Sequence, residues 1–479
     1  MDPIDQLERS MPHREETPPP ADEAAFPASY LERVIGKPGE KWSIQDLVDL
    51  VQDRGIRHIA LMHIAGDGWL KTLDFVPSSR SHLVDILSGG ERADGSSLFA
   101  GTGIRTGASD IILRPRPNRA FLDPFSSEPT LIVLCGHMGR DGQPLAVSPD
   151  SIVRAAYRSL REETGVDLRA LGEVEFFLGK KPSDHDIYGA DDRGYHASSP
   201  FVFGTELRRR ALRILVEIGF PVKYGHSEVG YIEARDTDDL IWEQHEIELA
   251  LTPLPDAAEG IVICQWVLRN LAQQEGRRCL FDPIMRKGHA GSGLHVHLSP
   301  LIGGKHAARP KEDGNLSDPA KWLIGGLVQL GGALMAFGNR SGGSFVRLSQ
   351  AKEAPNSVVW GRYDRNALVR IPIVATAEGG REVSTPTIEF RLPDGSAHPH
   401  LLLAGIAQAM LCGHDTVDLE GVLAKSASGA EGEKFDFTPV PHSFEEVAAA
   451  LDNYRSALER NSVFPPGMID SLLESLHSE

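Results

Sequence analysis

Three short segments alternate apolar and ionisable residues with a period of two, and this pattern constrains the chain more than any other feature. Residues 171–178 read LGEVEFFL, residues 293–299 read GLHVHLS, and residues 387–392 read TIEFRL. Successive side chains of a strand point to opposite faces. Val174, Phe176 and Leu178 therefore share one face, and Glu173 and Glu175 the other. Leu294, Val296 and Leu298 oppose His295, His297 and Ser299; Ile388, Phe390 and Leu392 oppose Glu389 and Arg391. Taken alone, each reads equally well as a half-exposed strand with a wet outer face. Solvated faces favour Thr, Lys, Ser and Gln, however, whereas these positions hold carboxylates, imidazoles and a guanidinium. Charge at this density needs a counter-charge once enclosed. Glu and His without a thiolate suit Mg²⁺ or Mn²⁺.

Two further glutamates extend the pattern. Glu228 stands between Gly225 and Gly230 in a turn-and-strand context, and Glu246 comes just ahead of a helix that begins near Pro255. Singly, each reads as a surface glutamate. Arg347, Arg365, Arg370 and Arg391 fall in short strand or loop contexts. Forked guanidinium groups suit phosphate and carboxylate, although a lone arginine is ordinarily a surface residue. Carboxylates for divalent ions beside arginines for phosphate point to metal-dependent phosphoryl transfer. The chain has no GxxxxGK[ST] loop, no kinase-type Gly-rich loop and no GxSxG elbow, so any nucleotide is held by another architecture. Gly291-Ser292-Gly293 shapes a tight backbone entry into the histidine strand.

Charge and composition exclude other classes. The 479 residues carry a formal charge of −18, which argues against a partner bound through nucleic-acid phosphates. Four scattered cysteines form no CxxC or finger spacing, so neither a disulfide scaffold nor a structural zinc site is expected. No apolar run is read as reaching the roughly 18–20 residues that span a bilayer, and the polar N-terminus has no secretory h-region. The expectation is a cytoplasmic protein with no membrane and no nucleic-acid partner. Residues 1–40 read as a loosely ordered arm, rich in Pro and Glu near its start. Residues 41–145 read as a β-rich domain: Ser43 caps a short helix, and strands follow at 59–62, 110–113 and 130–135. Residues 146–479 hold helices at 149–163, 205–218, 255–274, 319–337 and 399–412, and one beginning at the capping box of Ser443.

Taken in order, the motifs resemble the glutamine synthetase family in its bacterial class I form. They are Asp94-Gly95-Ser96-Ser97, Glu173 through Phe177, His226-Ser227-Glu228-Val229, Glu243 through Ile247, and Gly291 through His297. The series continues with Arg347 through Glu353-Ala354-Pro355, Asp364-Arg365-Asn366 through Arg370-Ile371-Pro372, and Glu389 through Asp394. The resemblance implies an α+β fold: a small N-terminal β-grasp domain, and a larger catalytic domain on an antiparallel sheet with flanking helices. It also implies a homo-oligomer, commonly two stacked hexameric rings with active sites between subunits.

By the same resemblance, Glu175, Glu228 and Glu246 would hold one divalent ion, Mg²⁺ or Mn²⁺, and Glu173, His295 and Glu389 a second. His297 and Ser299 would contact the nucleotide. Arg365, Arg370 and Arg391 would embrace the phosphates of ATP and the transferred group. Arg347 would bind the α-carboxylate side of glutamate, with Gly291 in the same substrate site. Glu353 would close the site and accept a proton from the amine, and Asp94 of an adjacent subunit would bind and deprotonate ammonium. The implied reaction is ATP-dependent ligation of ammonia to the γ-carboxylate of glutamate through a γ-glutamyl phosphate. Two departures stand out. Ala290 replaces the family's usual Asn ahead of Gly291, which keeps open a γ-glutamyl-amine ligase using a polyamine or other alkylamine. Residues 231–245 read as a longer insertion, by default a surface loop. A third reading, a non-catalytic assembly relative, would be favoured by missing metal ligands, but all six candidates are present.

Overall fold

Ser43 caps a helix as read, and does so through a capping box: the Ser43 hydroxyl accepts from the Asp46 amide, and the Asp46 carboxylate accepts from the Ser43 amide, opening the helix Ile44–Asp53. The structure is a computed structural model. It describes residues 29–100, 104, 109–183, 194–235, 237–309, 315–350, 354–380, 382–428 and 438–478. These divide into two units, residues 1–151 with 210–222, and residues 152–209 with 223–479.

In the first unit, strands β1 (His58–Ile64), β2 (Leu70–Phe75), β3 (Glu91–Asp94), β4 (Asp110–Leu122) and β5 (Thr130–Met138) form one sheet in the order β2-β1-β5-β4-β3. The β1–β5 pair is parallel and the other pairs are antiparallel. Leu47 and Val51 of the capped helix and Leu83 and Leu87 of the helix Arg80–Gly89 share a core with Ile59, Leu61, Leu131 and Val133 of the sheet. Residues 1–28 of the expected arm lie outside the described residues. Residues 30–35, counted with that arm, form a helix instead. Ser29 and Glu32 make a second capping box, Gly36 ends the helix at φ 78°, and Leu31 is 2% exposed in the core. One buried leucine in a single turn leaves too little periodicity to read from sequence.

In the second unit, the described residues form ten strands: β6 (Asp167–Lys180), β7 (Val222–Ile232), β8 (Ile241–Leu249), β9 (Thr252–Pro253), β10 (Arg278–Leu280), β11 (Leu294–Ile302), β12 (Lys305–His306), β13 (Trp360–Arg362), β14 (Val369–Ile371) and β15 (Ile388–Phe390). The main path runs β13-β14-β15-β11-β6-β8-β7. It is antiparallel from β14 through β8. The predicted apolar faces turn inward: Val296, Leu298, Ile388 and Phe390 share one core with residues of the helices Leu254–Gln274, Asp318–Gly338 and Pro399–Asp415. The α+β class expected from the sequence is the class observed.

Four local readings are corrected. The helix Asp318–Gly338 is long and apolar enough to cross a bilayer, with a mean hydropathy of 1.3, although no such run was expected. It is a core helix, 78% buried over that window. A Cβ at its Gly326 would fall 1.8 Å from the Ala409 carbonyl oxygen, so glycine is what allows the two long helices to touch there. Glu246 is not in a segment ahead of a helix but inside β8. The expected surface loop at 231–245 is shorter than that: Tyr231 and Ile232 end β7 and residues 241–245 open β8, which leaves the connection between Ile232 and Ile241. Every residue of β8 is buried, so its sequence, IWEQHEIEL, carries polar groups on both faces and shows no apolar alternation. Finally, Arg347 lies in the helix Gly342–Ser349 rather than in a strand or loop.

Candidate active site

Strand register assembles the polar face. In the β6–β8 pairing Glu173 stands opposite Glu248 and Glu175 opposite Glu246. In the β6–β11 pairing His295 stands opposite Glu173, and in the β11–β15 pairing His297 stands opposite Glu389. Because the side-chain period is two, these residues project from one side of the sheet. They line a cavity of about 510 Å³ together with Arg347, Arg365, Arg370, Arg391, Gly291 and Ala290, all within the second unit.

Hydrogen bonds orient the ligand-type groups. Glu173 accepts from His295 Nδ1 and His297 Nε2, each at 2.9 Å, and His297 Nδ1 lies 2.8 Å from Thr387 Oγ1. Burial pushes Glu173 up, but His297 and His295 outweigh it and hold the carboxyl well below its usual range. Burial depresses His297, while Glu173 and Glu389 raise it to about 9 overall. Glu389, 1% exposed, accepts from Arg370 NH1 at 2.8 Å and from Arg391 NH1. Arg347, 5% exposed, donates to the Leu392 carbonyl at 3.0 Å. Glu175 accepts from Gln244 Nε2 at 2.8 Å and from the Gly293 amide at 2.9 Å. A side chain at Gly293 would put its Cβ 2.7 Å from His295 Nε2 and 3.0 Å from Glu175 Oε1, so any residue larger than glycine would displace these ligand-type groups.

Among the described residues, two groups have the composition of metal ligands. Glu173, His295 and Glu389 form one and His226, Glu228 and Glu246 the other, with one candidate atom of each residue within 4.8 Å of the others in its group. The residues fit divalent ions on two observations. His295 Nε2 is buried without a hydrogen-bond partner, which leaves a nitrogen lone pair or N–H unsatisfied. Burial, then Glu173, Glu175, Glu228 and Glu248, raises Glu246 well above the usual carboxylate range. Such repulsion marks a place for positive charge.

The first group is the set that the resemblance implied. The second contains Glu228 and Glu246 of the implied set together with His226; Glu175, the remaining member of that set, stands opposite Glu246 and lies 3.8 Å from His295 Nδ1. His226 Nε2 is 3.2 Å from Glu246 and its Nδ1 3.8 Å from Glu228. Its signal was present, because His226 and Glu228 are two apart in a strand and so share a face. Gln244, Glu248 and Lys223 also line the cavity and were not singled out from sequence.

Not every expected residue gathers here. Ser299 is fully buried, bonded to His306 Nδ1 at 2.7 Å and the Pro386 carbonyl at 3.1 Å, and is not among the cavity-lining residues. Asp94, expected to act from an adjacent subunit, lies in the first unit, where Ser109, Ser97 and Ser96 bond its carboxylate and hold its pKa low. Glu353 lies outside the described residues.

Comparison with known proteins identifies a family. The profile of the family described as glutamine synthetase, catalytic domain, matches residues 146–479. The chain is 28% identical over 463 residues to a glutamine synthetase of Azospirillum brasilense, covering 90% of this chain and 94% of that one. It is 30% identical over 474 residues to a glutamine synthetase of Neisseria gonorrhoeae, with coverage of 90% and 94%. It is also 29% identical over 472 residues to a 3-hydroxylaminophenol mutase of Cupriavidus pinatubonensis, again with coverage of 90% and 94%. Among solved structures, a Plasmodium falciparum glutamine synthetase superposes with a TM-score of 0.75 at 19% identity, covering 91% of this chain and 95% of that one. A GmaS/ADP complex superposes at 0.72 and 19% identity, with coverage of 90% and 95%. The chain belongs to the glutamine synthetase family.

Proposed function

We propose that this protein is an ATP-dependent carbon–nitrogen ligase that joins ammonia to the γ-carboxylate of glutamate, giving glutamine, ADP and phosphate. The observation that carries the reading is the meeting of Glu389 with Arg370 and Arg391 beside Glu173 and His295 in one cavity. A carboxylate is a poor acyl donor, since oxide would have to leave. Phosphorylation by ATP makes the γ-carboxyl an acyl phosphate from which phosphate departs. Divalent ions held by the two ligand groups would offset charge on the phosphates of ATP. Arg365, Arg370 and Arg391 supply fixed positive charge where the transferring group becomes most negative. Arg347 anchors the glutamate α-carboxylate near Gly291, and His297 faces the nucleotide. Asp94 and Glu353 attract ammonium and take its proton, because the cation has no lone pair with which to attack. Assembly as a ring of copies, which would bring Asp94 to a neighbour's cavity, belongs to the same proposal.

One observation favours a second reading. Ala290 places a methyl group in the cavity wall, and the half-exposed Tyr195 and Tyr224 lie with ring centroids 5.4 and 5.9 Å from the His226 ring. Aromatic faces beside carboxylates hold alkylammonium ions as well as ammonium. The amine is then a primary alkylamine. The deciding experiment measures phosphate release from ATP with glutamate and Mg²⁺ or Mn²⁺, with ammonium scanned against a panel of alkylamines. Saturation with ammonium supports the first reading. Saturation only with larger amines supports the second, and no glutamate-dependent release with any amine rejects both.

A further inference from the structure

Lys223 and Glu248 form an ion pair on the cavity wall that neither ligand group accounts for. Lys223 Nζ lies 2.6 Å from Glu248 Oε1; the lysine side chain is 48% exposed and the glutamate side chain 2%. The Tyr224 hydroxyl also bonds to Glu248. Glu248 stands directly opposite Glu173 across the β6–β8 pairing, and both residues line the cavity with Lys223. Facing side chains of antiparallel strands approach to about 5 Å at Cβ. The cavity thus contains two buried carboxylates outside its two ligand groups: Glu175, which accepts from Gln244 Nε2 and the Gly293 amide, and Glu248, which stands next to a member of one group. A buried carboxylate requires a counter-charge. A further divalent ion bridging Glu248 and Glu173 would supply it, but here the counter-charge is part of the chain. Lys223 projects from β7, the neighbour of β8. A lysine ammonium is a compact point charge with three donors, and it does not dissociate as the free metal concentration falls.

We propose that Lys223 is a tethered cation, placed where another divalent ion would otherwise bind, which restricts the cluster to two exchangeable ions and turns Glu248 away from Glu173. Lys223 is a positioning residue and touches no reacting atom. The inference rests on the two-ion reading of the site above.

The test is a count of Mn²⁺ bound by the full-length chain without nucleotide or glutamate, from the electron paramagnetic resonance signal of free Mn²⁺. Lys223→Gln removes the charge while keeping a donor, and is expected to bind about one Mn²⁺ more per chain than the parent. Lys223→Arg keeps the charge, and Lys223→Gln combined with Glu248→Gln removes both charges; each should return the parent count. An unchanged count in Lys223→Gln overturns the proposal. Should that variant not fold, Glu248→Gln decides, because its unpaired ammonium beside Glu173 should weaken Mn²⁺ binding several-fold, and unchanged affinity overturns the proposal. The count needs no turnover, so a parent protein that binds Mn²⁺ but releases no phosphate would refute the ligase reading and leave this one standing.

Discussion

Glu175 and Glu246 stand directly opposite one another across the β6–β8 pairing, yet they are stabilised differently. Glu175 accepts from Gln244 Nε2 and the Gly293 amide, whereas Glu246 meets the His226 imidazole at 3.2 Å among four other glutamates that raise its pKa.

Glu246 should therefore hold its proton to higher pH than an ordinary glutamate, and metal binding should release that proton. Calorimetric titration of Mn²⁺ into the chain, in two buffers of different ionisation enthalpy at the same pH, should give different apparent enthalpies. Glu246→Gln should remove most of that difference and weaken Mn²⁺ binding. Identical enthalpies in the two buffers would show that Glu246 is already ionised.

Gly293→Ala should damage the site more than the fold. Its Cβ would press on His295 Nε2 and Glu175 Oε1, and relief of such overpacking costs about 1–3 kcal/mol. Turnover is expected to fall by about tenfold or more, because a displaced His295 loses its place beside Glu173 and Glu389. Steady-state kinetics with a parallel melting curve checks this, and parental turnover would mean that the approach is looser than described.

Arg370→Lys should lower turnover by about one to two orders of magnitude, since a point charge replaces a fork that binds Glu389 and faces the cavity. Mn²⁺ affinity should change little. A variant with full turnover would remove Arg370 from phosphate recognition.

Stability should fall below neutral pH through His63 of the first unit. Burial, and then Lys71, push this imidazole from 6.5 down to about 4, and its Nδ1 lies 3.0 Å from His137 Nε2. The folded state holds His63 neutral, so between about pH 4 and 6.5 the unfolded chain binds the extra proton. Its contribution is complete above about pH 6.5 and lost as pH falls to about 4, on the order of 3 kcal/mol in all. Urea melts of the parent and His63→Gln across this window should show a flatter pH slope in the variant. Equal slopes would assign the acid sensitivity elsewhere.

The strand faces at Glu173–Leu178 and Leu294–Ser299 were legible because one side of each is apolar and the other ionisable. The helix at Ile44–Asp53 was legible from its cap. β8 was not, because it is buried on both faces. Glu243 accepts from His245 Nε2 at 2.7 Å and from the Phe203 amide at 2.9 Å, while Gln244, Glu246 and Glu248 face the cavity. A strand satisfied by polar partners on both sides leaves no hydrophobic period to detect. Arg347 was placed on the wrong element for a related reason. Its helix, Gly342–Ser349, opens with Gly342-Gly343-Ser344, residues that read as loop.

The order and chemical type of the motifs alone identified the family and the supply of carboxylates, imidazoles and guanidinium groups, since those depend only on which residues occur and how they alternate. Which of them meet was decided by strand register. The pairing of β6 with β8 and β11 gathers glutamates from distant segments, and β7, beside β8, brings His226 to Glu246 and Lys223 to Glu248. Register is a property of pairs of strands, set by packing between segments far apart in the chain, and no single segment encodes it.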